Sequence, residues 1–177
     1  MARAPRTADK LKKASGHVWY ELWMLREAAT LFASEQQKCT PRANAYLEST
    51  LVHARNVIEF FRADCAHICS DDILAVDYFP GHATPKRWAS TDFGPLKKTI
   101  NKALSHLSYS RTCATNKVWD VNADILSVLR PPLDEFKASV DRSLLDCDWS
   151  SLDLRDVNSA TSVATGAPQP SSPRAGP

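Results

Sequence analysis

Apolar side chains along this chain recur mostly at helical spacing. Between His17 and Gln37, Val18, Leu22, Leu25, Ala29 and Phe32 fall at steps of three and four, one face of an amphipathic helix, and Trp19 and Trp23 widen the stripe. Thr40–Pro41 then reads as a helix start, a hydroxyl N-cap followed by a proline whose missing N–H is not needed at the first helical position. From there to about Arg62 the residues Ala43, Leu47, Leu51, Ala54, Ile58 and Phe61 face one way, with Glu48, Val52, Arg55, Glu59 and Arg62 on the other edge. The short link around Cys39 makes these two helices an antiparallel hairpin.

Beyond the hairpin the pattern predicts shorter elements. Asp71–Phe79 reads as a short helix capped by Asp71, although Ile73, Leu74 and Val76 suit a helix or a strand equally, and Pro80–Gly81 ends it. Pro95 opens a third helix to about Ser110, striped by Leu96, Ile100, Ala103 and Leu107. Asp120 caps another through Leu129, Pro131–Pro132 breaks or sharply kinks it, and a last helix resumes at Leu133 with Phe136, Val140 and Leu144 inward. The expectation is an all-α helical bundle of four to five helices with a disordered C-terminal tail. Its limits are a basic flexible lead-in over residues 1–16, the bundle over 17–150, and the Ser/Thr/Ala/Pro/Gly-rich tail over 151–177.

Composition narrows the function classes. With 177 residues and 44% hydrophobic content the chain is long and apolar enough to bury one core. Apolar runs such as Ile73–Val76 are far short of the roughly 20 residues of a membrane span, and no signal-like apolar segment follows the basic N-terminus. The location expected is therefore cytoplasmic, with no membrane partner. A net charge of +2 gives no general pull toward nucleic acid; the cations cluster only in the N-terminal arm and at Lys97, Lys98, Lys102 and Arg111. The odd set of five cysteines does not suggest a disulfide framework, and Cys65-x-His67-x-Cys69 lacks a second ligand pair, so neither metal nor cofactor is expected.

No Gly-rich phosphate loop, Gly-x-Ser-x-Gly elbow or His-Glu-x-x-His sequence is present. Two polar clusters on the expected helices carry the chemistry that remains: His53-Ala-Arg55-Asn56, and the run from Asn101 through His106 to Arg111. Histidine exchanges a proton near neutral pH and arginine grips a phosphate bidentately, a minimal set for cleaving RNA through its own 2′-hydroxyl without a metal. The same residues have a structural reading, in which Arg55 pairs with Glu59 one turn on and the His, Arg and Asn side chains form a buried network between helices.

The Asn44–Phe61 segment, with its Leu-Val-His-Ala-Arg-Asn-Val-Ile-Glu-Phe-Phe run, and the Ile100–Arg111 run, Ile-Asn-Lys-Ala-Leu-Ser-His-Leu-Ser-Tyr-Ser-Arg, resemble segments of a group of small bacterial proteins, as does Asp71–Phe79. Over roughly Trp19–Leu145 the arrangement is similar to HEPN-type domains. That resemblance implies a helical bundle forming a homodimer and binding RNA or a nucleotide. It also implies metal-independent RNase activity in a toxin–antitoxin or phage-defence setting, with an antitoxin or other protein as partner. The pattern departs from that family where its histidine falls after the arginine, since the positions following Arg55-Asn56 hold Phe60, Phe61 and Arg62. Catalysis then takes a composite site of His106, Arg111, Arg55 and Asn56, supported by His53 and Asn101. The alternative is a non-catalytic structural or protein-interaction domain.

Overall fold

The computed structural model describes residues 4–35, 40–62, 71–79, 88, 90–105, 119–155 and 157. Four α-helices carry the fold: α1 (Ala8–Glu35), α2 (Pro41–Phe60), α3 (Gly94–Ser105) and α4 (Ser127–Ser139). No strand occurs among the described residues, and the architecture is the all-α bundle expected. No helix among them is long and apolar enough to cross a membrane.

α1 and α2 pack against each other more extensively than any other pair. Their inward stripes are those of the sequence: Val18, Leu22, Leu25, Ala29 and Phe32 on α1, and Ala43, Leu51, Ala54 and Ile58 on α2, are all buried. The Thr40 hydroxyl accepts from the Ala43 N–H at 3.1 Å with Pro41 at the first helical position.

α1 begins at Ala8, so residues 8–16 are helix and not the loose lead-in expected over 1–16. The Thr7 hydroxyl accepts from the Lys10 N–H and the Thr7 carbonyl from the Leu11 N–H, which caps the helix, and Leu11 extends the buried stripe by two turns. Between them Ser15 is fully buried, donating to the Lys12 carbonyl and accepting the Asp146 N–H at 2.8 Å.

The expected short helix at Asp71–Phe79 is instead a 3₁₀ turn over Ala75–Tyr78, with extended backbone at Leu74 and Phe79. The Tyr78 hydroxyl reaches back to donate to the Leu11 carbonyl, and burial, with Asp77 beside it, pushes its ionisation well above the ordinary tyrosine value. α3 runs to Ser105, and the rest of its expected span lies outside the described residues.

Pro131–Pro132 does not break the last helix. Asp120 caps a π-helical segment, Val121–Leu126, through the Ala123 N–H, and this passes directly into α4 with both prolines inside it. A π segment widens the helix by one residue per turn, one of the known ways a helix adjusts its carbonyl ladder, and here it ends just ahead of the prolines. The Pro132 carbonyl accepts the Trp88 indole N–H at 2.7 Å. Leu133 and Phe136 are buried as expected, and Val140 follows just past the helix end. Phe136 is the hub of the core, its ring within 5.2–6.3 Å of Phe60, Phe61, Tyr78, Phe79, Trp88 and Trp149.

The expected tail starts too early at 151. Leu152, Leu154 and Val157 are buried, and the chain between them is stapled to α4 and the segment before it by side-chain hydrogen bonds to backbone. Arg130 donates twice to the Leu154 carbonyl, Lys137 donates to that of Leu152, and the Asn122 amide bonds both the N–H and the carbonyl of Val157. Ordering this polar-looking stretch is offset by its alternating apolar residues and by satisfied backbone groups. Residues 158–177 lie outside the described residues.

Candidate functional site

The polar centre that the hairpin assembles is built around Glu21, which borders the inward stripe of α1 and faces α2. One carboxylate oxygen of Glu21 (Oε2) accepts from the Asn56 Nδ2 at 2.9 Å and is 2.7 Å from the His53 Nδ1. His53 and Asn56 are three apart on α2 and so share a face. A carboxylate on Nδ1 assigns the proton of a neutral imidazole to that nitrogen and leaves Nε2 as an acceptor. The His53 side chain is only 13% exposed and that of Glu21 27%, so the pair is screened from solvent but not sealed. Below it lies a shallow depression of about 190 Å³ lined by His17, Val18, Glu21, Asn56, Val57 and Phe60, with Ile73.

Aromatic rings continue from this centre across the solvent side of α1. Tyr20 meets the His53 imidazole edge-on at 6.1 Å, Tyr20 and Trp23 are 6.3 Å apart, and Trp23 stacks on Trp19 at 6.1 Å and 10°. The Trp19 indole N–H donates to the Asp148 carbonyl, tying the row to the C-terminal segment. Tyr20 and Trp23 are 48% and 39% exposed; the other large exposed apolar residues among those described are Leu31 and Val52, at 44% and 43%, also on the hairpin.

The sequence-derived site residues separate into three groups. His53 and Asn56 meet through Glu21. Arg55 does not join them: residues two apart on a helix point about 200° away from each other, and Arg55 is exposed on the far side. Nor does it pair with Glu59, which instead takes Arg62 and, across to α3, Lys97. Partial burial works to raise the Glu59 carboxyl, but hydrogen bonds and charge from Lys97 and Arg62 outweigh it and hold it below the ordinary carboxylate value. Asn101 sits on α3 with its side-chain carbonyl buried and without a hydrogen-bond partner. His106 and Arg111 lie outside the described residues, as do Cys65, His67 and Cys69. Among the described residues no group of three or more potential ligands could hold a metal.

Glu21 is the residue that sequence reasoning passed over. The signal for it was the helix pair itself: with α1 ending at Glu35 and α2 beginning at Pro41, residues whose numbers add to about 76 stand opposite each other, and 21 then faces the neighbourhood of 55 and 56. Chemically, a carboxylate-oriented imidazole is able to accept a proton, but His53 does not itself line the depression, whose polar lining residues are His17, Glu21 and Asn56. The arrangement ties two helices together and leaves an aromatic face outside. Compared with known proteins, the chain matches no family model, no curated protein and no solved structure.

Proposed function

We propose that this chain is a non-catalytic interaction domain whose working surface is the outer face of the α1–α2 hairpin, and that it self-associates as a homodimer through that face. The observation that carries the reading is the distribution of exposed apolar side chains: Tyr20, Trp23, Leu31 and Val52 all stand on this one hairpin, and its polar centre is engaged internally by Glu21. Exposed aromatic and aliphatic side chains gathered on one hairpin point to an interaction site, and tyrosine and tryptophan are among the residues that most often anchor one. The metal-independent RNase reading, which the resemblance to HEPN-type domains suggests, needs His106 and Arg111 to meet Arg55 and Asn56. Asn56 is already bonded to Glu21, and Arg55, about 100° round the helix from it, stands outside that contact, which favours binding over cleavage.

The test has two arms. Purified protein incubated with single-stranded RNA is expected to leave it intact, and light scattering is expected to give twice the 19.6 kDa chain mass at micromolar concentration. Leu31→Asp with Val52→Asp is expected to return the mass to that of one chain with the melting temperature nearly unchanged, since both side chains are exposed. RNA cleavage that disappears in His53→Ala or His106→Ala, or a parent protein that is monomeric throughout, overturns the proposal.

A further inference from the structure

The outer face of the hairpin carries exposed apolar side chains together with an exposed pair of opposite charges. Three side-chain contacts bear on the register of α1 against α2: Glu21 with Asn56, Glu21 with His53, and Glu35 with Arg42. Their position numbers add to 77, 74 and 77, so residue n of α1 stands roughly level with residue 76 − n of α2. On α1 two of the three large exposed apolar residues, Tyr20 and Leu31, have their midpoint between positions 25 and 26, with Trp23 beside Tyr20. On α2 the exposed residues of opposite charge, Glu48 and Arg55, have theirs between 51 and 52, beside exposed Val52. By the register of the hairpin those two midpoints are level to within about one residue, or ~1.5 Å.

We infer that two copies pack outer face to outer face about a two-fold axis crossing the hairpin at that level, with α2 antiparallel to α2 of the second copy. The arrangement rests on the interaction reading above and specifies its geometry. Val52 meets Val52 of the second copy at the axis, Tyr20 meets its Leu31, and Glu48 and Arg55 meet its Arg55 and Glu48. Within one chain Glu48 and Arg55 are seven residues, or about 10 Å, apart along the helix and too distant to pair. Neither makes an ion pair among the described residues. A two-fold axis turns this unsatisfied spacing into two identical ion pairs flanking an apolar strip, as an isologous contact requires. The area is adequate: two helices each about 10 Å wide and some 30 Å long present a face of the order of the ~800 Å² per partner of a standard interface.

Charge reversal tests the register. Arg55→Glu sets like charges against each other at two symmetric places and is expected to raise the dimer dissociation constant about tenfold or more, read by analytical ultracentrifugation. Glu48→Arg combined with Arg55→Glu restores the pairs with reversed polarity and is expected to bring association back toward the parent value. Val52→Lys, which places two cations at the axis, is expected to weaken the dimer to a similar degree. Circular dichroism on each variant reports whether the hairpin is still folded; since all three positions are exposed, retained helicity is expected. A parent dimer indifferent to Arg55→Glu and Val52→Lys, or a double reversal that stays dissociated, overturns this geometry while leaving self-association standing. A parent protein that never dimerises overturns the interaction reading itself.

Discussion

Removing the Glu21 side chain measures how strongly the polar centre ties the two long helices together. In Glu21→Ala the His53 Nδ1 loses its acceptor at 2.7 Å and the Asn56 amide loses its own at 2.9 Å. A hydrogen bond to a charged group contributes about 1.5–3 kcal/mol, and with Glu21 27% exposed the lower end applies to the histidine, about 1.5 kcal/mol. Asn56 is exposed and adds about 0.5 kcal/mol, while the higher helix propensity of alanine returns about 0.4 kcal/mol. The net loss is about 1.5 kcal/mol, or a melting temperature lower by about 3–6 °C for a domain of this size. His53→Ala is expected to lose a similar amount, because the Tyr20 ring also loses its edge-on partner. Since both variants remove the same bond, the double variant is expected to be no more than slightly worse than either alone, with a coupling of about 1–1.5 kcal/mol in a thermodynamic cycle. Denaturant unfolding of the four proteins at low and high salt is the assay. Additive losses, with coupling below about 0.3 kcal/mol, would show that the bond contributes nothing to holding the hairpin, and coupling that vanishes in salt would reduce it to a screened surface pair.

Two further outcomes follow from the packing. A chain ending at Val157 keeps every described contact and is expected to melt with the parent, whereas one ending at Ser150 loses buried Leu152, Leu154 and Val157, on the order of 5 kcal/mol, and is expected to melt more than about 10 °C lower in calorimetry. Equal melting of the two would mean that the segment is not docked. Because the Glu59 carboxyl is held below its ordinary value, its contribution is complete above the unfolded value of about 4.3 and is lost as pH falls through the lower folded value. The gap in melting temperature between parent and Glu59→Gln should therefore close between about pH 5 and pH 3; a gap constant with pH would refute the pairing with Lys97 and Arg62.

Helices with unbroken stripes and recognisable caps were legible in the sequence: the α1 stripe from Val18 to Phe32, the Thr40–Pro41 start and the Asp120 cap all stand where the pattern puts them. Boundaries failed where a local rule met a tertiary partner. Ser15 interrupts the apolar pattern of α1, yet it is buried because Asp146, distant in sequence, bonds its hydroxyl. The prolines of α4 read as a break because the π segment ahead of them leaves no mark in composition. Leu152 and Leu154 were hidden among serines and aspartates, and only the side chains of Arg130, Lys137 and Asn122 show why that stretch is ordered. In the candidate site, the identities of His53 and Asn56 as polar residues on a helix were readable, and so was the separation of Arg55 from them by helical geometry. Their partner was not, since naming Glu21 requires the register between two helices, which neither helix carries alone.

That register also joins the inside of the hairpin to its outside. Tyr20 follows the outward stripe of α1 one position before Glu21, and Val52 and Arg55 alternate along α2 with His53 and Asn56. The contacts that hold Glu21 against α2 therefore set which outward residues are level. Sliding α2 by one helical turn moves its face by about 5.4 Å relative to α1, enough to separate the Glu48 and Arg55 midpoint from that of Tyr20 and Leu31. Glu35 and Arg42 near the turn limit such a slide from one end and the Glu21 centre limits it from the other, so the two polar contacts bracket the apolar face. A bundle held by apolar packing alone tolerates neighbouring registers more readily, because apolar contact is non-directional. Hydrogen-bonded side chains do not, since a shift leaves a partly buried imidazole and carboxylate unsatisfied. The polar centre thus acts on the outer surface without forming part of it, by setting which outward residues of the two helices stand level.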